Sequence, residues 1–259
     1  MDLQLKGKRV VVTGASKGIG LAIARSFARE GALLFLAARN AERLDAAAAQ
    51  LRSETGAQVS VLALDAAAAD AGERLLQFGG DIDVLVNNAG AIPGGDLAKI
   101  DDARWREAWE LKLYGYINIT RCILPAMAAR KCGVIANIIG MAGAAPRWEY
   151  ICGATANAAL MAFTQATGAA STRDGVRVFG INPSATRSDR MLTMMQQTAQ
   201  QKFGDATRWM ELTTGLPFGR MAEPEEISDL TAFCCSPLAS YLSGTVINVD
   251  GGQMYASPR

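Results

Sequence analysis

Arg9-Val10-Val11-Val12-Thr13-Gly14-Ala15-Ser16-Lys17-Gly18-Ile19-Gly20 is the stretch whose reading decides the fold. A β-branched run leads directly into three spaced glycines, and the helical pattern Ile19–Arg29 follows at once. Strand, glycine-rich turn and helix in that order are the setting of a dinucleotide-binding turn. Gly14 permits the tight turn, Gly18 lets backbone amides approach a pyrophosphate, and Gly20 lets the helix pack on the strand. Ser16, Lys17 and Ile19 complete the turn. The helix start then presents unpaired N–H groups and the positive end of its dipole to a phosphate.

Working outward, apolar runs and helical patterns alternate along the whole chain. Strands are expected near Arg9–Thr13, Leu33–Ala37, Val59–Leu64, Val84–Asn87, Gly133–Ile138, Arg177–Asn182 and Thr245–Val249. Helices are expected near Ile19–Arg29, Ala41–Thr55, Ala67–Phe78, Asp102–Arg130, Thr155–Thr172 and Pro224–Cys234. Such alternation implies an α/β protein, a doubly wound (Rossmann) parallel sheet of about seven strands with helices on both faces. Without a linker, repeat or low-complexity tract, residues 1–259 read as one nucleotide-binding domain. The stretch 184–216 interrupts the alternation. It is helical in pattern and carries Met191, Met194, Met195, Met210 and Trp209. It reads either as a flexible apolar substrate lid or as an ordinary packed helix pair.

Composition narrows the function. A chain of 259 residues, half of them apolar, can bury a sizeable core. Net charge is +1 with no basic block, so neither nucleic acid nor an anionic membrane is an expected partner; a small molecule is. The sequence passes from Met1-Asp2-Leu3-Gln4 straight to its first strand, and its apolar runs are short, so no leader or membrane span is expected. Five cysteines without a CxxC pair suggest reduced thiols, no metal and a cytoplasmic setting.

The nucleotide is read at the end of the second strand. In this fold an acidic residue there holds the ribose of NAD. Here the strand ends Ala37-Ala38-Arg39-Asn40. Arg39 can pair with a 2′-phosphate as a bidentate donor, and Lys17 adds a second cation, so NADP(H) is expected in preference to NAD(H). Asp65, closing the third strand, is expected either to accept from the adenine amino group or to cap the next helix.

These residues resemble the short-chain dehydrogenase/reductase family. Thr13–Gly20 is similar to its glycine motif, Asn87-Asn88-Ala89-Gly90 to its Asn-Asn-Ala-Gly motif, and Asn182-Pro183 to the start of its Pro-Gly motif, with Ser184 where Gly is usual. Gly219-Arg220, Pro224-Glu225-Glu226 and Val249-Asp250-Gly251-Gly252 resemble its C-terminal segment. The resemblance implies an NAD(P)-dependent oxidoreductase, usually a homotetramer. It assigns cofactor contacts to Asn88, Ala89, Gly90, Asn157, Pro183 and Ser188.

The same resemblance exposes a departure. The family's catalytic set is an Asn, a Ser, and a Tyr followed four residues later by a Lys. Alignment on Ala158–Thr164 puts Gly140 at the Ser, Gly153 at the Tyr, Asn157 at the Lys and Lys112 at the Asn. No serine lies between Ser60 and Ser171, no lysine between Lys131 and Lys202, and the chain has no histidine. The pattern resembles that of a divergent sub-group of unassigned function.

Three readings stay open, beside a fourth, a non-redox lyase or cyclase on the same scaffold. In the first, Lys112 returns the ammonium, Asn157 binds the nicotinamide ribose and Tyr150 leans into the space left at Gly153 as proton donor, although Ala154, not Lys, follows it at four residues. Packing at a helix start for Tyr150, and a solvated surface position for Lys112, are the plain alternatives. In the second, the substrate is a conjugated alkene or iminium that needs no strong acid at oxygen. In the third, the chain binds NADP(H) without turnover, as a sensor or inactive partner subunit. Cys152 beside Gly153 reads as a buried filler.

Overall fold

The computed structural model describes residues 1–256. Its sheet is built from β1 (Arg9–Thr13), β2 (Leu33–Ala38), β3 (Val59–Ala63), β4 (Val84–Asn87), β5 (Gly133–Ile138), β6 (Val176–Pro183) and β7 (Val246–Val249). All seven strands pair in parallel, in the order β3-β2-β1-β4-β5-β6-β7. The order reverses between β1 and β4, so a crevice opens beyond the carboxyl ends of those strands, where this topology binds ligands.

Side chains on successive strand residues point to opposite faces, and the core obeys this. Val10, Val12, Leu34, Leu36 and Val86 enter one apolar cluster, packed under α1 (Gly18–Arg29). Val11, Leu85 and Ile135 enter the other, which takes Leu75 from α3 (Ala71–Gly79). The strands are therefore covered on both sides and read as continuous apolar runs.

The helix α2 (Ala41–Thr55) begins at Asn40, whose side chain accepts the Arg43 N–H at 2.7 Å. That cap starts the helix between Arg39 and Arg43.

Three expected boundaries are corrected. The helix anticipated from Ala67 begins at Ala71, because residues 65–70 instead form turns, with Ala68 N–H on Asp65 O and Ala71 N–H on Ala68 O. The helix anticipated from Thr155 begins a turn earlier, as α6 (Ile151–Ser171). The helix anticipated over Asp102–Arg130 is not continuous: α4 (Asp102–Trp109) runs into a π turn (Glu110–Tyr114) and then α5 (Gly115–Ala129). There the Gly115 N–H reaches back to Glu110 O, one residue beyond the α-helical partner. The sequence pattern gives no hint of this bulge, and Lys112 sits inside it.

The insertion after β6 folds as α7 (Asp189–Phe203) and a 3₁₀ segment (Ala206–Gly215); α8 (Pro224–Cys235) then returns to the sheet. Among the described residues no helix is long and apolar enough to cross a membrane, and no group of acidic, Cys or His side chains is placed to hold a metal ion.

Candidate active site

The glycine turn is held from three sides. Gly14 N–H donates to Ala37 O at 2.8 Å, tying the turn to β2. The Thr13 hydroxyl donates to Val86 O and accepts the N–H groups of Asn88 and Ala89 at 3.0 and 3.1 Å. The Asn88 amide donates to Thr13 O and Gly14 O. Gly14 and Gly18 have φ of 66° and 57°, in the left-handed region that a side chain makes costly. At Gly20 a Cβ would collide with the Asn88 amide and with Gly14 O.

This turn forms one end of a cleft of about 1090 Å³. Gly14, Ser16, Lys17, Gly18, Ile19 and Gly20 line it, as do Arg39, Asn88, Ala89, Gly90, Lys112, Gly140, Tyr150, Asn157, Pro183 and Ser188. Asp65 meets neither expectation: its carboxylate accepts the Ala67 N–H at 3.0 Å within the turn, the next helix begins only at Ala71 after Asp70, and Asp65 does not line the cleft. Arg43 joins the cleft, which the sequence reading missed, since nothing in the sequence sets it apart from a solvated arginine of a first helical turn. Among the described residues, Lys17, Arg39 and Arg43 enter no ion pair. Met191, Met194, Met195 and Leu216 line the opposite wall, whereas Met210 is exposed away from it. Ser188 caps α7 by accepting the Met191 N–H, and faces Gly18 across the cleft.

At the other end, the π turn carries Lys112 inward. Its side chain crosses Gly90, where a Cβ would stand 2.5 Å from Lys112 Cδ. Lys112 is 8 % exposed, and its Nζ donates to Ile138 O at 2.6 Å and to the Tyr116 hydroxyl at 2.8 Å. Tyr116 in turn donates to Ile138 O at 2.8 Å, and burial pushes its phenol well above the usual value. Tyr116 is thus a neutral, fixed dipole that holds Lys112 at the end of β5.

Two glycines are filled by neighbours. A Cβ at Gly140 would lie 2.9 Å from Asn157 Nδ2, and Asn157 itself donates to Gly140 O at 3.4 Å. A Cβ at Gly153 would fall on the Tyr150 ring, against Cε1 and Cζ. Tyr150 precedes α6 with φ −141° and ψ 34°, a non-helical backbone that turns its ring over the first turn. Asn157 Oδ1 is buried without a hydrogen-bond partner. Such an orphaned acceptor, in the same cleft as the glycine turn and the start of α1, fits a ligand that brings a hydroxyl donor to one end and a phosphate to the other. Cys152 is fully buried, and burial raises its thiol pKa, so it offers no thiolate.

A doubly wound sheet with this turn and this cleft has the architecture of the dinucleotide-binding class of protein. The chain belongs to the short-chain dehydrogenase family, whose model matches residues 8–200. It is 33 % identical over 251 residues to galactitol 2-dehydrogenase (L-tagatose-forming) of Cereibacter sphaeroides, covering 96 % of each chain. The L-sorbose reductase of Gluconobacter frateurii, solved with NADPH and L-sorbose, superposes with a TM-score of 0.92 at 32 % identity over 99 % of this chain and 100 % of that one. An NAD+-bound xylitol dehydrogenase shares the fold at 23 % identity and a TM-score of 0.88, over 96 % and 100 % of the two chains. Solved neighbours thus hold either nucleotide, and the relatives are named dehydrogenases and reductases.

Proposed function

We propose that this protein is an NADP(H)-dependent oxidoreductase with a rebuilt active site, acting on an apolar carbonyl, activated alkene or imine. One observation carries the reading: a single cleft joins the glycine turn with Lys17, the β2–α2 turn with Arg39 and Arg43, and the buried Lys112 with Tyr150 and Asn157; among the described residues those three cations enter no ion pair. Lys17, Arg39 and Arg43 would take the 2′-phosphate, since guanidinium forks match its oxygens in pairs. Backbone amides at the start of α1 would take the pyrophosphate, and Asn157 Oδ1 a ribose hydroxyl. The nicotinamide supplies a hydride when bound.

The chain's own residues do the remainder. Lys112 sets a fixed positive charge beside the reacting region, where a charge developing on substrate oxygen is stabilised in a water-poor setting. Tyr150 is the O–H donor that lines the same space. The mutual filling of Gly140 by Asn157 and of Gly153 by Tyr150 supports a site reorganised as a unit: each glycine is needed because its neighbour occupies the volume. The methionines of α7 supply an apolar, adaptable wall that acts as the substrate lid.

The test is titration of tryptophan fluorescence with NADPH and, in parallel, NADH, followed by a hydride-transfer screen. Tight NADPH binding, weaker NADH binding and turnover of some carbonyl, alkene or imine are expected. Binding without any turnover would leave the nucleotide sensor as the function; no binding of either nucleotide would end the oxidoreductase reading.

A further inference from the structure

Tyr116 does not line the cleft, yet it is bonded to a buried ammonium that does. Lys112 is held by two acceptors whose own positions are settled elsewhere. Ile138 closes β5 opposite Ile181 of β6, so the sheet fixes its carbonyl. Tyr116 is fully buried in α5, in the apolar cluster that holds Ile92, Leu113, Ile139 and Leu160. Donor and acceptor chemistry then sets the direction of each proton. Ile138 O only accepts, and it takes both Lys112 Nζ at 2.6 Å and the Tyr116 hydroxyl at 2.8 Å, one for each lone pair. Burial keeps the phenol protonated, and its single proton is committed to that carbonyl. At the 2.8 Å contact between Nζ and the Tyr116 oxygen, the phenol therefore accepts and the lysine donates. Two of the three N–H bonds of the ammonium thus end on fixed atoms. A single anchor would let the group turn about Cε–Nζ; two stop that rotation and set the direction of the third N–H. The stem is confined as well, since Lys112 Cδ crosses Gly90 where a Cβ would stand 2.5 Å away. The Tyr116 ring adds its own attraction for a cation, with Nζ 4.5 Å from its centroid.

Resting on the oxidoreductase reading above, we infer that Tyr116 is a positioning residue for the reaction: with Ile138 O it locks the Lys112 ammonium in one orientation before substrate arrives. A donor that is already oriented needs no reorganisation when negative charge develops beside it, which is the condition under which fixed dipoles and charges act most strongly. Tyr116 acts through Lys112 alone, and the role does not depend on which substrate bond accepts the hydride. Its hydroxyl is the part that matters. A phenylalanine at 116 would keep the ring and the apolar packing but supply no acceptor, leaving the ammonium with Ile138 O as its single anchor of the two.

Magnetic resonance of the nucleotide-free protein, isotope-labelled at the lysine side-chain nitrogens, tests this. At neutral pH exposed lysines exchange their ammonium protons with water too fast to be seen, whereas Lys112 should give a persistent signal, identified by its loss in Lys112→Met. In Tyr116→Phe that exchange should quicken at least about tenfold, the worth of one hydrogen bond to a charged group. A tyrosine that only fills space would leave the signal unchanged, and that result would overturn the proposal. Should Tyr116→Phe not fold, the wild type decides alone. Rotation of the ammonium about Cε–Nζ, read from nitrogen relaxation in mild acid, should be at least about tenfold slower for Lys112 than for exposed lysines, and equal rates overturn the lock. Hydride transfer supplies the last arm. On a compound that the screen returns for the wild type, Tyr116→Phe should lower kcat at least about tenfold and leave KM and NADPH affinity as they were. An unchanged kcat overturns the positioning role. Protein that neither binds NADPH nor turns over any compound refutes the reading beneath it, and the lysine signals, recorded without nucleotide, tell the two failures apart.

Discussion

Gly153→Ala is the sharpest perturbation of this site. The added methyl would fall against Tyr150 Cε1 and Cζ, so the ring must retreat by about 1.5 Å to reach an ordinary carbon–carbon contact. Overpacking of this kind costs about 1–3 kcal/mol, roughly 5- to 150-fold in the folding equilibrium. Relieving the collision reverses the sign. In a Tyr150→Ala background the methyl has room, and Gly→Ala inside a helix then stabilises by up to about 1 kcal/mol. The coupling between the two sites is therefore about 2–4 kcal/mol, well above the scatter of independent positions. Urea denaturation of the wild type, both single variants and the double variant measures it directly, provided the slope of the transition stays constant. Activity supplies the second readout: a ring pushed aside should lower turnover toward the level of Tyr150→Phe. A Gly153→Ala protein as stable and as active as the wild type, with coupling under about 0.5 kcal/mol, would refute the packing argument and with it the placement of Tyr150.

Further outcomes are expected. Arg39→Asp should weaken NADPH by about 10- to 150-fold, the worth of a charge-assisted bidentate contact, and NADH far less; equal losses in parallel titrations would sink the 2′-phosphate assignment. Lys112→Met should remove turnover and leave NADPH affinity within a few fold, and a binding defect instead would make Lys112 a nucleotide ligand. Gly20→Ala should abolish nucleotide binding, because its methyl would collide with Gly14 O and the Asn88 amide; isothermal titration of a folded variant checks it. Glu226, bridged bidentately by Arg220 at 2.7 and 2.8 Å and accepting the Glu223 N–H, has its pKa lowered from 4.5 to about 2. A carboxylate depressed on folding stabilises above its unfolded value, and that contribution is lost as pH falls toward 2. The pair is exposed, so Glu226→Gln should cost under about 1 kcal/mol at neutral pH, and the difference from wild type should vanish in acid.

The sheet was legible because its strands are buried on both faces: Val10–Thr13 and Val84–Asn87 are runs that only a covered strand carries. The glycine turn was legible because its spacing states a backbone requirement, and Arg39, singled out in the sequence, lines the same cleft. Arg43 escaped because a lysine or arginine in a first helical turn is usually solvated, and only the folded chain places it on the cleft. The bulge at Glu110–Tyr114 escaped for a different reason. One extra residue in a single turn hardly disturbs an apolar period of 3.6, yet it decides which way Lys112 points. Tyr150 was suggested by its spacing from Gly153, but its ring direction comes from the non-helical φ and ψ of the residue itself, which no periodicity encodes.

The contact between Gly140 and Asn157 also bears on how the chain can change. A serine introduced at 140 meets the Asn157 amide at 2.9 Å from its Cβ, so it must displace that amide or distort the left-handed backbone, φ 138°, on which it stands. A lysine introduced at 157 would add a second ammonium to a region where Lys112 is already buried. A side chain at 140 is thus penalised by the residue that faces it, so that the two positions can change together more readily than one at a time.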